Sequence, residues 1–416
     1  MKKIKKSVLA SSLAITLAVT VACTNNQTEN SSGTSFTSNL ASSTANSSTT
    51  ATQVATSETD SETATSDRES VDWDALETTE VTLTDDGLEI TAAGTYILTG
   101  STTGQVTVNT DGNVRIILNN ATIKSSEGAA ISIENAEMTV LELADGTENT
   151  VEDASSREDE EIDGAIYSSD DLVITGSGTL TVNANFADGI VSKHDLWIEG
   201  GTINVTSVDD GIRGKDSVTV SDGTITIDAQ NDGIKASNDT DLGKGILTIT
   251  GGDLTVSSGD DAVKAEQKIL ITGGTVTVES SVEGIEAPVI VIDDGDISIN
   301  ASDDGMNASA SDIITDDLSL TINGGNVSVE MAQGDTDALD SNGDLTIAGG
   351  TVSLNGPNTV DYDGTGTFSG GTLIVNGETV TELPEDMMGG GGMGGGPDGE
   401  PGGGPGGDDM GGGFGQ

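Results

Sequence analysis

Through the middle of the chain, apolar and polar residues alternate with period two in a ten-residue phrase built around a two-residue turn. One copy runs Leu196, Ile198, Gly200-Gly201, Ile203, Val205, and the next runs Val218, Val220, Asp222-Gly223, Ile225, Ile227. Later copies span Leu247 to Val256, Ile269 to Val278, Ile290 to Ile299, Leu320 to Val329 and Leu345 to Leu354. Such alternation predicts short strands with one buried face. Glycines at the turns supply the positive backbone angles that tight corners need. Helical periodicity is absent from the repeat.

Between the phrases stands a marker of an acid, a small residue and an apolar residue. It occurs at Asp188-Gly189-Ile190, Asp210-Gly211-Ile212, Asp232-Gly233-Ile234, Asp261-Ala262-Val263, Glu283-Gly284-Ile285, Asp304-Gly305-Met306 and Asp337-Ala338-Leu339. Its spacings of 22, 22, 29, 22, 21 and 33 residues describe a unit of about 22 with two insertions. A single unit cannot bury its own apolar face, so the units must stack, at roughly 4.8 Å per repeat. Three short strands per unit predict an all-β protein, a right-handed parallel β-helix. The Gly-Gly-x-Gly-x-Asp signature of nonapeptide calcium rolls does not recur. Val81 to Val151 carries a looser form of the alternation and is expected to supply the first coils. The acidic run Arg157 to Asp163 is expected to be a solvated loop, and the pattern fades after Asp361 into a terminal cap.

The ends of the chain read differently. Residues 1–22 have a basic start at Lys2, Lys3, Lys5 and Lys6 and an apolar run from Val8 to Val21, the form of an export signal. Cys23, the single cysteine, follows at once and looks like a lipoprotein cleavage and lipidation site, although Thr20 stands where Leu is usual. Disulfides are therefore excluded. Residues 23–70 are rich in Ser, Thr and Asn and are expected to form a flexible, lipid-anchored stalk. The β-helix domain is expected over 71–386, and the Gly, Met and Pro-rich residues 387–416 over a disordered tail. Together these place the protein outside the cell, anchored to the bacterial membrane or cell surface. Loss of the signal lowers Lys and Arg from 15 to 11 against 70 Asp and Glu, a net charge of −59. That field repels nucleic acid and attracts cations.

Stacking turns sequence offsets into rows. The marker gives Asp188, Asp210, Asp232, Asp261, Glu283, Asp304 and Asp337, thickened by Asp209, Asn231, Asp260 and Asp303. Carboxylates about 5 Å apart repel by roughly 3 kcal/mol at an effective dielectric of 20. The row therefore calls for cations, and oxygen donors in an irregular cage suit calcium. A single histidine, His194, and a single thiol argue against zinc. Three residues after the marker stand Arg213, Lys235 and Lys264, either neutralising the row or contacting an anionic ligand. Trp197 lies between inward-facing Leu196 and Ile198, so its ring is expected to point outward, either stacking on a sugar or lying under a loop.

The repeat, with Ile116-Ile117-Leu118-Asn119-Asn120-Ala121-Thr122-Ile123 and Leu143-Ala144-Asp145-Gly146-Thr147-Glu148-Asn149-Thr150-Val151, resembles the bacterial family of carbohydrate-binding domain-containing proteins. The resemblance covers about Val81 to Val380. It implies an exported right-handed β-helix with bound calcium, similar in fold to pectate lyases, and a polysaccharide ligand, acidic ones included. The expected function is calcium-assisted polysaccharide binding through the acid row, with Arg213, Lys235, Lys264 and Trp197 as carbohydrate contacts. Two rivals remain: a calcium-dependent polysaccharide lyase using one of those basic residues as its base, and an adhesin or surface spacer.

Overall fold

In a computed structural model, residues 71–332 and 336–384 are described, and all of them belong to one compact unit. The export signal, Cys23, the stalk and the Gly-rich tail lie outside the described residues. None of the described helices is long and apolar enough to cross a membrane. Among the described residues, apart from one 3-10 turn at Trp73–Ala75, the regular structure is all strand.

The strands form two sheets whose neighbours come from successive repeats. The marker segments build the smaller sheet, in which Ile190 pairs with Ile212, Ile212 with Ile234, Ile234 with Val263, and so on through Ile285, Met306 and Leu339. The two arms of the ten-residue phrase build the larger sheet, again strand on equivalent strand: Leu196, Val218, Leu247, Ile269, Ile290, Leu320 and Leu345 pair in turn. These pairings are parallel; the antiparallel one is the hairpin of Thr372–Val375 with Glu378–Val380 at the end. In two repeats the arms merge across the turn into single bent strands, Asp195–Ser207 and Ser217–Ala229, with a register shift at the bend. Exact superposition of like on like follows from burial: a slip of one residue would turn every Leu, Ile and Val of a strand to solvent.

The paired residues fill one continuous interior. Ile190, Ile212, Ile234, Leu196, Val218, Ile203 and Ile225 are all completely enclosed. The longer marker intervals keep this interior intact by placing their extra residues outside it, as at Leu242, 75% exposed. The acidic run departs from expectation. Glu158 to Glu161 are exposed, but Arg157 turns inward, its side chain only 2% exposed, to pair with the enclosed carboxylate of Asp153.

Two kinds of glycine make the stacking possible. At the corner of the phrase, Gly274 (φ 86°) and Gly325 (φ 77°) sit in the left-handed region, where a side chain is strained. At the marker the constraint is space. A Cβ on Gly211 would lie 2.4 Å from Ile227 Cγ2 and 2.5 Å from the carbonyl oxygen of Gly233 in the next repeat. Gly211→Val is expected to cost about 1–3 kcal/mol of unfolding free energy by overpacking, measured by urea denaturation. Gly211→Ala should cost less, because Ala262 and Ala338 occupy equivalent positions.

Candidate functional site

The marker acids do form a row along one edge of the smaller sheet, and backbone hydrogen bonding explains why they recur. One carboxylate oxygen of Asp188 accepts the amide of Asp210 (3.2 Å), Asp210 accepts that of Asp232 (3.2 Å), and Asp232 accepts that of Asp261 (3.1 Å). Asp304 does the same for Asp337 (2.9 Å). At these four steps one repeat thus satisfies an amide of the next, in a corner the ladder itself cannot reach. Asn231, half-buried, adds a donation to Asp210 (2.8 Å), whereas Asp209, Asp260 and Asp303 point to solvent.

The position three residues after the marker makes a second row beside the first. Arg213, Lys235, Lys264, Glu286, Asn307, Asp340 and Asp361 pair successively in parallel register. The sign of charge changes midway along it. In the first half each cation is spent on the marker row: Arg213 donates to Asp188 (Nε, 2.8 Å) and Asp163 (2.5 Å), Lys235 to Asp232 (2.8 Å), and Lys264 to Asp261 and Glu286 (2.5 Å each). Burial opposes charge on Arg213, Lys235 and Lys264, but their carboxylate partners outweigh it and hold all three pKa values above the ordinary range. Burial still drives Asp188 up to about 7 against the pull of Arg213. Of the two roles left open for these basic residues, internal neutralisation is the one their contacts serve.

In the second half Glu286 still accepts Lys264, but beyond it the row holds Asn307, Asp340 and Asp361 and no cation, since the chain has no Lys, Arg or His after Lys268. Burial, reinforced by Glu286, pushes Glu283 up to about 7. Burial with repulsion from Asp304, Asp361 and Asp337 does the same to Asp340. The Asn307 amide donates to Glu283 Oε1 (3.2 Å), yet Glu283 Oε2 and Asn307 Oδ1 are buried without a hydrogen-bond partner. Orphaned oxygens on two hydrogen-bonded residues in an anionic setting are costly unless something positive meets them. Carboxylate oxygens of Asp261, Glu283 and Glu286 also lie within 4.8 Å of one another, as do those of Asp232, Asp260 and Asp261. All the donors are oxygens, so the set fits a hard divalent cation such as calcium and not a soft one. Glu286, Asn307 and Asp340 were missed as candidate ligands, although their constant offset from the marker was a visible signal.

Trp197 does face outward, but it does not meet solvent. It packs with Met138, Val140 and Val173 on the outer face of the larger sheet, under Val71 and Trp73, and is 8% exposed. A sugar platform at Trp197 is therefore corrected to a covered apolar contact. The half-buried indole at the surface is that of Trp73, whose position before the repeat gave no hint of this.

An all-β array of stacked parallel strands carrying a polar ridge defines the class of protein. The family model for carbohydrate-binding domain-containing proteins matches residues 84–336, and the chain belongs to that family. A carbohydrate-binding domain-containing protein of Acetivibrio thermocellus is 39% identical over 126 residues, covering 28% of this chain and 44% of the relative, so the chain spans less than half of that protein. A solved structure described as a polysaccharide lyase-like protein from C. thermocellum, in a gadolinium derivative, is 32% identical, covers 49% of this chain and 94% of its own, and superposes with a TM-score of 0.45.

Proposed function

We propose that this protein is an exported, lipid-anchored surface protein that binds polysaccharide with the help of calcium. Its strands wind as a right-handed parallel β-helix, the hand that parallel crossover connections overwhelmingly adopt. Family membership supports a carbohydrate ligand. The observation that carries the calcium reading is the pair of orphaned oxygens, Glu283 Oε2 and Asn307 Oδ1, at the point where the row beside the marker acids runs out of cations after Lys264. Glu283, Glu286, Asn307 and the acids beyond them would hold the ion. Calcium there neutralises the ridge and offers open coordination positions to a uronate carboxylate, which the bare ridge would repel.

Binding is favoured over elimination. A lyase needs an uncharged base beside the metal, and Arg213, Lys235 and Lys264 are each held protonated by neighbouring carboxylates. Calorimetric titration of the intact protein with hexagalacturonate is expected to show binding with calcium present and at least a tenfold loss of affinity in EDTA. Glu283→Gln should reproduce most of that loss while calcium is present. Equal affinity with and without the metal would remove calcium from the function. Release of unsaturated product, seen as new ultraviolet absorbance, would replace binding by catalysis.

A further inference from the structure

A second feature lies on the other sheet, away from the acid ridge. Trp73 stands over the outer face of the larger sheet, where Arg115, Val140, Val173 and Trp197 follow one another across adjacent strands in register. The indole walls a cleft of about 340 Å³, with Val140 and Val173 on its floor and Arg115, Glu142 and Glu199 at its rim. Arg115 Nε donates to Glu142 (2.7 Å), which fixes both side chains. An apolar floor, an aromatic wall and a few oriented polar groups form the ordinary composition of a small-molecule site.

The cleft adjoins a groove with which it shares a lining residue. Glu199 also lines the groove formed by the phrase corners, which runs past Gly223 and Gly252 to Gly274. Gly274 and Thr275 belong in turn to the next stretch, which continues past Gly295 to Asn326. The glycines keep this groove open, and Thr224, Asp253, Thr275 and Asp296 line it with hydroxyl and carboxylate oxygens at each repeat. Stacked repeats advance by roughly 4.8 Å, close to the advance of one pyranose in an extended chain.

We infer that this track binds a linear neutral glycan, with one pyranose ring stacked on Trp73 and the following units lying along the glycine corners. The inference rests on the carbohydrate-binding reading and adds to it a site and a class of sugar distinct from the calcium ridge. Charge selects the neutral class. Arg115, the basic residue at the cleft, is paired to Glu142, and Glu199, Asp222, Asp253 and Asp296 leave the track anionic. A uronate is repelled there, whereas sugar hydroxyls can donate to each carboxylate. The C–H face of a pyranose suits the indole, as apolar surface does generally.

Both tryptophans of the chain, Trp73 and Trp197, lie in this one cluster, so tryptophan emission, excited selectively over the three tyrosines, reports on it alone. The intact protein in EDTA is titrated with cellohexaose, xylohexaose and hexagalacturonate, followed by fluorescence and by calorimetry. A neutral hexasaccharide is expected to shift the emission, hexagalacturonate is not, and Trp73→Ala should weaken neutral binding by about tenfold. Trp73→Phe, which keeps an aromatic face, should retain most of the affinity, a distinction that simple loss of packing would not give. Neutral binding seen by calorimetry with unchanged emission and unchanged affinity in Trp73→Ala overturns the cleft and leaves the carbohydrate reading standing. Binding of hexagalacturonate alone, in calcium alone, overturns the neutral track and leaves the ridge. No binding of any of the three under either condition overturns both.

Discussion

Replacement of Arg157 by Met is expected to lower the unfolding free energy by about 3–5 kcal/mol. The Asp153 carboxylate is completely enclosed and the Arg157 side chain is 2% exposed. Asp153 accepts the Asn185 amide at 2.6 Å and is paired with the guanidinium, which also donates to the carbonyl oxygens of Ile162 and Gly164 and lies 4.2 Å from the centre of the Phe186 ring. Burial alone raises the Asp153 pKa and lowers that of Arg157, so each ion depends on the other for its charge. Met fills much of the volume but strands the anion. The double variant Asp153→Asn with Arg157→Met should recover a large part of the loss, because Asn still accepts the Asn185 amide without carrying charge. Urea denaturation checks both. A loss below about 1 kcal/mol in the single variant would mean that water reaches Asp153, as it does for exposed pairs.

The second large effect is the response of stability to calcium and pH together. Glu283 and Asp340 have folded pKa values raised to about 7, well above those of an unfolded chain, near 4. The folded metal-free protein therefore holds these protons more tightly than the unfolded one. Stability from this source is fully present below the unfolded values and is lost as pH rises through about 7. Calcium binds the ionised form, so its effect must run the other way. At a free concentration of 100 times Kd it adds about 2.7 kcal/mol per site, by mass action, and this should appear near pH 7.5 and nearly vanish near pH 4. Differential scanning calorimetry of metal-stripped and calcium-loaded protein across that range gives the test. A calcium-induced rise in Tm that is as large at pH 4 as at pH 7.5, or none at either, would show that these carboxylates do not hold the ion.

Much of the architecture is legible in the residues because the repeat imposes the same physical demand many times over. A period-two phrase with glycine at its centre has one way to hide its apolar face, which is to lie on its own next copy, and Leu196, Val218 and Leu247 do so in order. The row of marker acids is equally predictable. Their first task was not: the sequence offers carboxylates for metal, whereas Asp188, Asp210 and Asp232 each spend one oxygen on the amide of the following repeat. A constant offset shows which residues will be neighbours without showing which atoms will face each other.

The chain by itself settled the all-β character, the size of the repeating unit, the alignment of equivalent side chains into rows and the anionic field, since all of these depend on composition and on contacts between residues at a fixed separation. Tertiary structure decided the remainder. It spent Arg213, Lys235 and Lys264 on internal carboxylates, left Glu283 and Asn307 with unmet oxygens, enclosed Arg157, and brought Trp73 over Trp197 from more than a hundred residues away. These outcomes depend on side-chain direction and on contacts between segments with no common period, and no local pattern encodes either.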